Sequence, residues 1–417
     1  MKNHRFAWAS RNYRVQTAAT VIAGLGNAGA PIATAFAVLE LGGGATEVGL
    51  VTGAHLASMV VFLLFGGALA DRLPRHHVMV GANLFNAASQ ALLAVLVLTG
   101  TAELWQLIAL SAAGGAGQAF YAPASEGMIM ESIAKEHAAR AFAVFRMALN
   151  GSQIGGAALG GVLVTAIGPG WVLAVDAAGF TVAAALRLLL DLEAPITPAE
   201  RSSVVQALRE GWREFTARRW LWVIVLQFSL VNACLGAVES VYGPVIAKER
   251  LGGADAWGLA LAAFSAGLFL SGFLMVRWQP ARVLLAGNHG VFLFAAPAYA
   301  LALQAPLPVL CAAMFTSGLG ITVFGVNWMV ALQQEVPSEL FSRVSAYDYF
   351  GSIALAPVGT ALAGPVAELL GMREALWLCA VATTLLALAV LAERQIRTLR
   401  RTATAPAVAE EVTVSSA

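Results

Sequence analysis

Charged residues are scarce in this chain of 417 residues. Asp, Glu, Lys and Arg make up 12% of it, against about 25% in soluble domains, while hydrophobic residues make up 59%. Too few polar side chains are present to cover a soluble globule of this size. The composition therefore argues against soluble enzymes and predicts an integral membrane protein. A net charge of +1 gives no reason to expect a nucleic-acid partner.

Cysteine is also rare, which excludes a disulfide framework. Cys234, Cys311 and Cys379 lie in apolar runs without the C-x-x-C spacing of a metal or redox site. The sequence contains no Ser/His/Asp set, metal-spaced cluster or phosphate loop. The stretch from Gly24 to Gly29 matches a dinucleotide fingerprint by letter, but no strand precedes it. We therefore expect no enzyme activity, no cofactor and no bound metal.

Long apolar runs separated by short loops fill most of the chain. Many reach the ~20 residues with which an α-helix crosses the hydrocarbon layer, so we expect helical spans rather than barrel strands. Hydropathy predicts an all-α protein with twelve transmembrane helices in two six-helix bundles. The first set lies at 13–39, 48–69, 78–98, 104–129, 142–167 and 171–190, and the second at 221–246, 257–278, 283–303, 309–332, 345–369 and 375–391.

The distribution of basic residues predicts the orientation of these spans. With the N-terminus inside, the outer loops contain only Lys248, Arg250 and Arg373 of the 25 Lys and Arg residues. We expect a multi-pass protein of the cell membrane with both termini in the cytoplasm. The predicted units are a first bundle at 1–190, a cytoplasmic amphipathic linker at 191–219, a second bundle at 220–393 and a disordered tail at 394–417.

The two halves also resemble copies of one another. A shift of 203 residues superposes Arg140 on Arg343, Glu136 on Glu339, Gly117 on Gly320 and Gly161 on Gly364. The matches fall at equivalent places in the two bundles, as parallel repeats of a transporter would. We therefore expect a pseudo-two-fold relation between the bundles.

The loop after the second span carries the clearest motif. Gly66, Asp71, Arg72 and Arg75 fit G-x-x-x-D-R-x-x-R, with proline at position 74 where glycine is usual. On this motif the chain resembles the major facilitator superfamily, and the run 337–349 resembles the drug and siderophore efflux branch that contains enterobactin and macrolide exporters. The resemblance implies two bundles that rock about a central substrate site.

The resemblance also implies a role for this loop. It indicates that Asp71 lies near the start of the eleventh span and helps to close the inner side in the outward-facing state. Arg72 and Arg75 are then available to acids on neighbouring helices, for which Glu131 and Asp348 are candidates. The alternative is a loop that only sets topology through its positive charge.

A second motif lies in the fifth span. Gly156, Gly160 and Gly161 leave a face without side chains on which another helix can pack closely. The run resembles the antiporter motif G-P-x-x-G-G, with Ala157 in place of the proline. That departure keeps an importer open as an alternative to an exporter.

Ionisable residues within the spans are candidates for proton coupling, because they are costly to bury in a membrane. Glu239 shares a face of the seventh span with Asn232, and it is equally compatible with a functional and a structural role. For Glu126, a structural salt bridge with Arg146 is favoured over proton coupling. Asp176 is favoured as a hydrogen-bonded packing acid, with proton coupling as the alternative.

Amide and hydroxyl groups inside the spans are the candidates to line the substrate cavity. We predict cavity positions for Asn27, Gln118, Tyr121, Asn232, Glu239 and Asn327. A secondary transporter that exports a small amphipathic compound in exchange for protons is the favoured function, since no nucleotide-binding motif is present. The alternatives are an importer of a nutrient or siderophore and a membrane sensor or scaffold that does not transport. We expect a monomer in the lipid bilayer.

Overall fold

The chain folds into long α-helices that run back and forth in alternating directions, as described by a computed structural model. The structure describes residues 10–70, 75–131, 138–190 and 204–401. Side chains are described in these ranges except at 64–70, 75, 122–124, 126–131, 138–140, 142, 143, 146, 204–208, 338, 339 and 342.

Six helices form the first half: α1 Arg11–Glu40, α2 Ala45–Ala70, α3 Arg75–Thr99, α4 Leu104–Glu131, α5 Ala138–Ile167 and α6 Pro169–Leu188. The linker helix α7 spans Val204–Ala217. The second half contains α8 Arg219–Ala237, α9 Gly243–Ile246, α10 Ala254–Arg277, α11 Val283–Leu293, α12 Ala296–Ala302, α13 Leu307–Glu335, α14 Ser338–Ile353, α15 Ala356–Leu370, α16 Met372–Val390 and the short α17 Arg394–Thr398.

Eleven helical segments of the described chain are long and apolar enough to cross a membrane. The helix between the third and fourth of them, α4, is 28 residues long and packs against α2 and α3. The prediction of an all-α membrane fold is confirmed. We call the end of the spans that carries α7 the linker end, and the opposite end the far end.

Proline divides three spans that the hydropathy pattern predicts as continuous. The ring of proline clashes with the carbonyl four residues earlier and removes one helix hydrogen bond. Four residues before Pro297 stands Leu293, where α11 ends, and four before Pro357 stands Ile353, where α14 ends. The ninth and eleventh spans are therefore each built from two helices, α11 with α12 and α14 with α15.

In the seventh span the same effect produces a wider turn. Pro244 faces the carbonyl of Ser240, and the segment Val238–Tyr242 adopts π-helix geometry. A second π-helical segment, Ala247–Leu251, ends at Gly252 in the left-handed conformation. The span thus runs from Arg219 to Leu251, five residues beyond its predicted end, and Glu239 lies in its irregular part.

Each of the six far-end turns contains a residue with positive φ. Glycine adopts this conformation without strain, which allows a span to end and the next to begin within a few residues. Only the turn between α12 and α13 uses another residue, Gln304 at φ 55°. The glycines of the other turns are Gly42, Gly100, Gly168, Gly252, Gly253 and Gly371.

The superposed glycines have equivalent surroundings in the two halves. A Cβ atom on Gly117 would meet Asn86 of α3, and one on Gly320 would meet Gly290 of α11. Both glycines therefore allow the fourth span of a half to approach its third. These contacts accord with the pseudo-two-fold relation of the two six-helix bundles.

The linker helix packs on the second half rather than lying free. Trp212 meets Tyr347 of α14 with ring centroids 5.5 Å apart, and Phe215 is buried in the core of the second half. Arg343 forms an ion pair with Glu210 at 2.5 Å. The unit boundaries at 190, 219 and 393 remain predictions.

Candidate functional site

A cavity of 470 Å³ lies between the middle of the spans and the linker end. Its walls come mainly from the first half, through α1, α3, α4, α5 and α6, and from one face of α10 in the second half. Apolar and polar groups both line it, as expected for a site that holds an amphipathic molecule. Its polar lining side chains include Thr20, Asn27, Asn86, Gln118, Tyr121 and Ser265, and its apolar ones include Phe145 and Phe180.

Three of the predicted cavity residues lie in this wall and three do not. Asn27, Gln118 and Tyr121 line the cavity. Asn232 donates to the carbonyl of Ser352 at 2.9 Å, within the second half. Asn327 is fully buried there, and its amide donates to the carbonyl of residue 323 in its own helix. Glu239 is also outside this wall.

Behind the cavity wall lies a buried arginine that the sequence analysis did not single out. Arg187 of α6 is fully buried; its Nε donates to Gln16 Oε1 at 3.1 Å and its Nη2 to Thr20 Oγ1 at 3.0 Å and Tyr121 Oη at 2.8 Å. The guanidinium also stacks on Tyr121, 5.1 Å from the ring centroid. Its Nη1 has no hydrogen-bond partner, and it forms no salt bridge with any described residue.

A smaller chamber of 80 Å³ adjoins the cavity, and polar and apolar side chains both line it. The two spaces share Asn27, Asn86 and Gln118. His55 in its wall hydrogen-bonds through Nε2 to Gln118 Oε1 at 3.2 Å, and through Nδ1 to the carbonyl of Ser111 at 3.0 Å. The chamber thus continues from the cavity into the interior of the first half.

The chamber leads to Asp176, which is fully buried. Gln90 lines the chamber and donates to Asp176 Oδ2 at 2.9 Å. The other carboxyl oxygen has no partner and faces α1 at Gly26, where a Cβ atom would lie 2.6 Å from it. Asp176 is therefore a hydrogen-bonded acid inside the first bundle, without a salt bridge to a described residue.

A second carboxyl group, that of the half-buried Glu239, lies where the halves meet. Its π-helical segment packs against α1, α2 and α15. The Oε1 atom is buried and has no hydrogen-bond partner. An ionised carboxylate in such a place is costly to bury, which makes this group a reasonable site for a proton.

Contacts between the halves concentrate at the far end. Three inter-half hydrogen bonds join described residues there: Lys248 Nζ to the carbonyl of Leu39 at 2.5 Å, Thr46 Oγ1 to Glu368 Oε1 at 2.6 Å and the backbone N–H of Asp255 to Thr165 Oγ1 at 3.2 Å. The far end is therefore closed over the cavity.

Glycine contacts bring the helices together at this closure. Gly161 of α5 meets Gly258 of α10, and Gly364 of α15 meets Thr46 of α2. The antiporter-like run also packs α5 on α1, since a Cβ atom on Gly160 would lie 2.5 Å from the Cα of Gly29. Gly156 likewise faces α1, at Leu25 and Ala28.

Most of the predicted latch lies outside the described residues. Asp71 and Arg72 fall in the undescribed range, and Gly66, Arg75 and Glu131 lie in helices at positions whose side chains are not described. The same holds for Glu126 and Arg146. Asp348 is described, and its Oδ2 accepts a hydrogen bond from Trp328 Nε1 at 2.8 Å within the second half. The latch remains a prediction.

This geometry defines a class of protein. It is a helical membrane protein with two related halves, closed at one end over a central cavity. Residues 17–356 match the Major Facilitator Superfamily. The chain belongs to this superfamily, and with it to the transporters that sit in a lipid membrane and bind small-molecule substrates.

Relatives and solved structures agree with this membership. The multidrug efflux pump Tap of Mycolicibacterium fortuitum is 27% identical over 372 residues, covering 85% of this chain and 89% of the pump. An uncharacterized MFS-type transporter of Bacillus subtilis, YfiS, is 25% identical over 88% of both chains. The nucleoside transporter NupG shares the fold at a TM-score of 0.72 and 14% identity, covering 92% of this chain and 99% of that structure.

Proposed function

We propose that this transporter exports a small amphipathic compound in exchange for protons. The observation that carries the proposal is the mixed apolar and polar cavity, closed at the far end and adjoining the linker end. The positive-inside rule predicts that the linker end is cytoplasmic, so a substrate would load from the cytoplasm. The similarity to Tap, which is described as a multidrug efflux pump, supports export.

Two carboxyl groups inside the spans support proton coupling. Asp176 and Glu239 each have one oxygen without a partner, and neither forms a salt bridge with a described residue. The small chamber gives Asp176 a polar connection to the cavity. Its 80 Å³ has room for roughly two or three waters. Such waters would bring a proton to the chamber wall beside Gln90, whose amide donates to Asp176 Oδ2.

Direction is tested by comparing vesicles of opposite orientation. Inverted membrane vesicles that contain the protein should accumulate ethidium, or another dye of a multidrug panel, when respiration acidifies their interior. An uncoupler should abolish this accumulation. Uptake by right-side-out vesicles instead would establish an importer, and accumulation that ignores an imposed pH gradient would refute proton coupling.

The residue that couples transport to protons is identified by measuring two activities separately: substrate accumulation driven by a pH gradient, and substrate counterflow without a gradient. Glu239→Gln should abolish dye accumulation driven by the pH gradient and keep expression and substrate counterflow, because counterflow needs no proton release. Asp176→Asn is tested in the same way. Glu249→Gln is the matched control, since Glu249 lies in the same span but is exposed at the far end. Wild-type accumulation by both the Glu239 and the Asp176 variants would remove these residues from the mechanism.

A further inference from the structure

The Arg187 cluster, composed of Arg187, Gln16, Thr20 and Tyr121, presents the cavity with hydrogen-bond donors backed by a buried positive charge. We propose that Tyr121 and Thr20 form a subsite for a negatively charged oxygen of the substrate, such as a carboxylate, with Arg187 as the positioning residue behind them. The inference rests on the proposed function only in taking the cavity as the substrate site.

The first argument is the count of donors and acceptors. Arg187 Nη2 donates to both the Tyr121 and the Thr20 hydroxyl oxygens, which leaves each hydroxyl with its own proton to donate. The two oxygens lie 3.2 Å apart, so one hydroxyl can donate to the other. At least one O–H donor is then left over. Since both side chains line the cavity, that donor is available to a bound molecule.

The second argument is charge. A guanidinium group is always protonated in proteins, and Arg187 is fully buried with neutral oxygens as its partners among the described side chains. A buried charge without a counter-ion is costly, and an anion that arrives beside it lowers that cost. On α6, Asp176 is eleven residues away, about 16 Å of helix rise, which is too far to serve as the counter-ion.

The third argument is the preorganisation and position of the donors. Hydrogen bonds in which one partner is charged are about twice as strong as neutral ones. A pair of hydroxyl groups that is already held in place needs no reordering when the ligand binds. Gln16 and the stacking contact with the Tyr121 ring hold the guanidinium in place. The cluster lies at the linker-end side of the cavity. An amphipathic acid could therefore place its carboxylate here and its apolar part against Phe145 and Phe180.

The test compares two ligands that differ only in charge. Dansylglycine carries a carboxylate, whereas its methyl ester is neutral, and binding of each to the protein in nanodiscs is followed by dansyl fluorescence. The wild type should bind the acid about tenfold tighter than the ester. Arg187→Gln and Tyr121→Phe should each remove this preference, and Arg187→Lys should restore part of it.

Ser265→Ala is the control, because Ser265 lines the cavity from the second half without contacting the cluster. It should keep the preference for the acid. Equal binding of acid and ester by the wild type would overturn the proposal. So would an equal loss of affinity for both ligands in the Arg187 and Tyr121 variants, because an equal loss indicates a structural role alone. If Arg187→Gln does not fold, Tyr121→Phe decides. Binding is measured without a gradient, so failure of proton-coupled export and failure of this subsite are distinguishable.

Discussion

Closure of the far end depends on the contact between α5 and α10, and one methyl group should disturb it. A Cβ atom on Gly161 would lie 2.5 Å from the carbonyl oxygen of Ala254 and 2.8 Å from the Cα of Gly258. Both are backbone atoms, which cannot rotate away as a flexible side chain can. Because carbon contacts normally begin near 3.5 Å, the helices must separate locally by roughly 1 Å.

Gly161→Ala should therefore shift the protein away from the state described here. Overpacking of this kind costs about 1–3 kcal/mol. The cost applies only while the far end is closed, since the methyl group has space once the helices part. A difference of that size between two states changes their ratio by roughly 5- to 150-fold. The ratio of open to closed far ends should rise by this factor.

Distances between spin labels at the far end measure this shift. The three native cysteines are first replaced by serine, and new cysteines for the labels are introduced at Thr101 and Glu374. Each position is exposed and lies in a different half, so the label distance reports the separation of the halves at the far end. Gly161→Ala should lengthen this distance. Gly151→Ala is the matched control, because it lies in the same helix with open space around it. An unchanged distance in the Gly161 variant would refute the closure argument.

Two further predictions concern the latch and the core. Asp71→Asn should weaken the predicted latch and favour inward-facing states. The Thr101–Glu374 distance should then stay short, and cysteine labelling from the cytoplasmic side should increase. Unchanged cysteine accessibility from both sides would contradict the latch. Trp257→Ala should lower the free energy of unfolding by about 3–5 kcal/mol, because its ring is fully buried, and Trp171→Ala, at an exposed ring, should have little effect in the same thermal melt.

The spans could be predicted from sequence because hydropathy over about 20 residues depends little on neighbouring helices. Their interruptions could not be predicted by hydropathy alone. With the structure known, Pro297 and Pro357 explain two of the breaks. Pro31, however, lies inside the unbroken α1. Whether a helix bends, breaks or widens at proline depends on whether neighbouring groups satisfy the freed carbonyl.

The site was harder to predict because it depends on how each helix is rotated and tilted. Arg187 lies near the end of an apolar run, which is typical of a topological anchor, and nothing in its spacing distinguishes a buried side chain from an exposed one. Its partners Gln16 and Thr20 lie more than 160 residues away in the chain. Gln118 and Tyr121 could be predicted, because they are polar side chains inside an apolar span and share one face of α4.

The positions of the charged groups bear on how export and proton uptake would be linked. Arg187 lies toward the linker end of the cavity, whereas Asp176 on the same helix is about 16 Å of helix rise nearer the far end. Asp176 therefore cannot both bind a proton and contact a substrate held at Tyr121. If Asp176 takes part in the proposed exchange, its link to the substrate has to pass through the packing of the helices. We propose Glu239 for this role, because its π-helical segment contacts α1 and α2 across the interface, where a change in its charge would alter the stability of the closed far end.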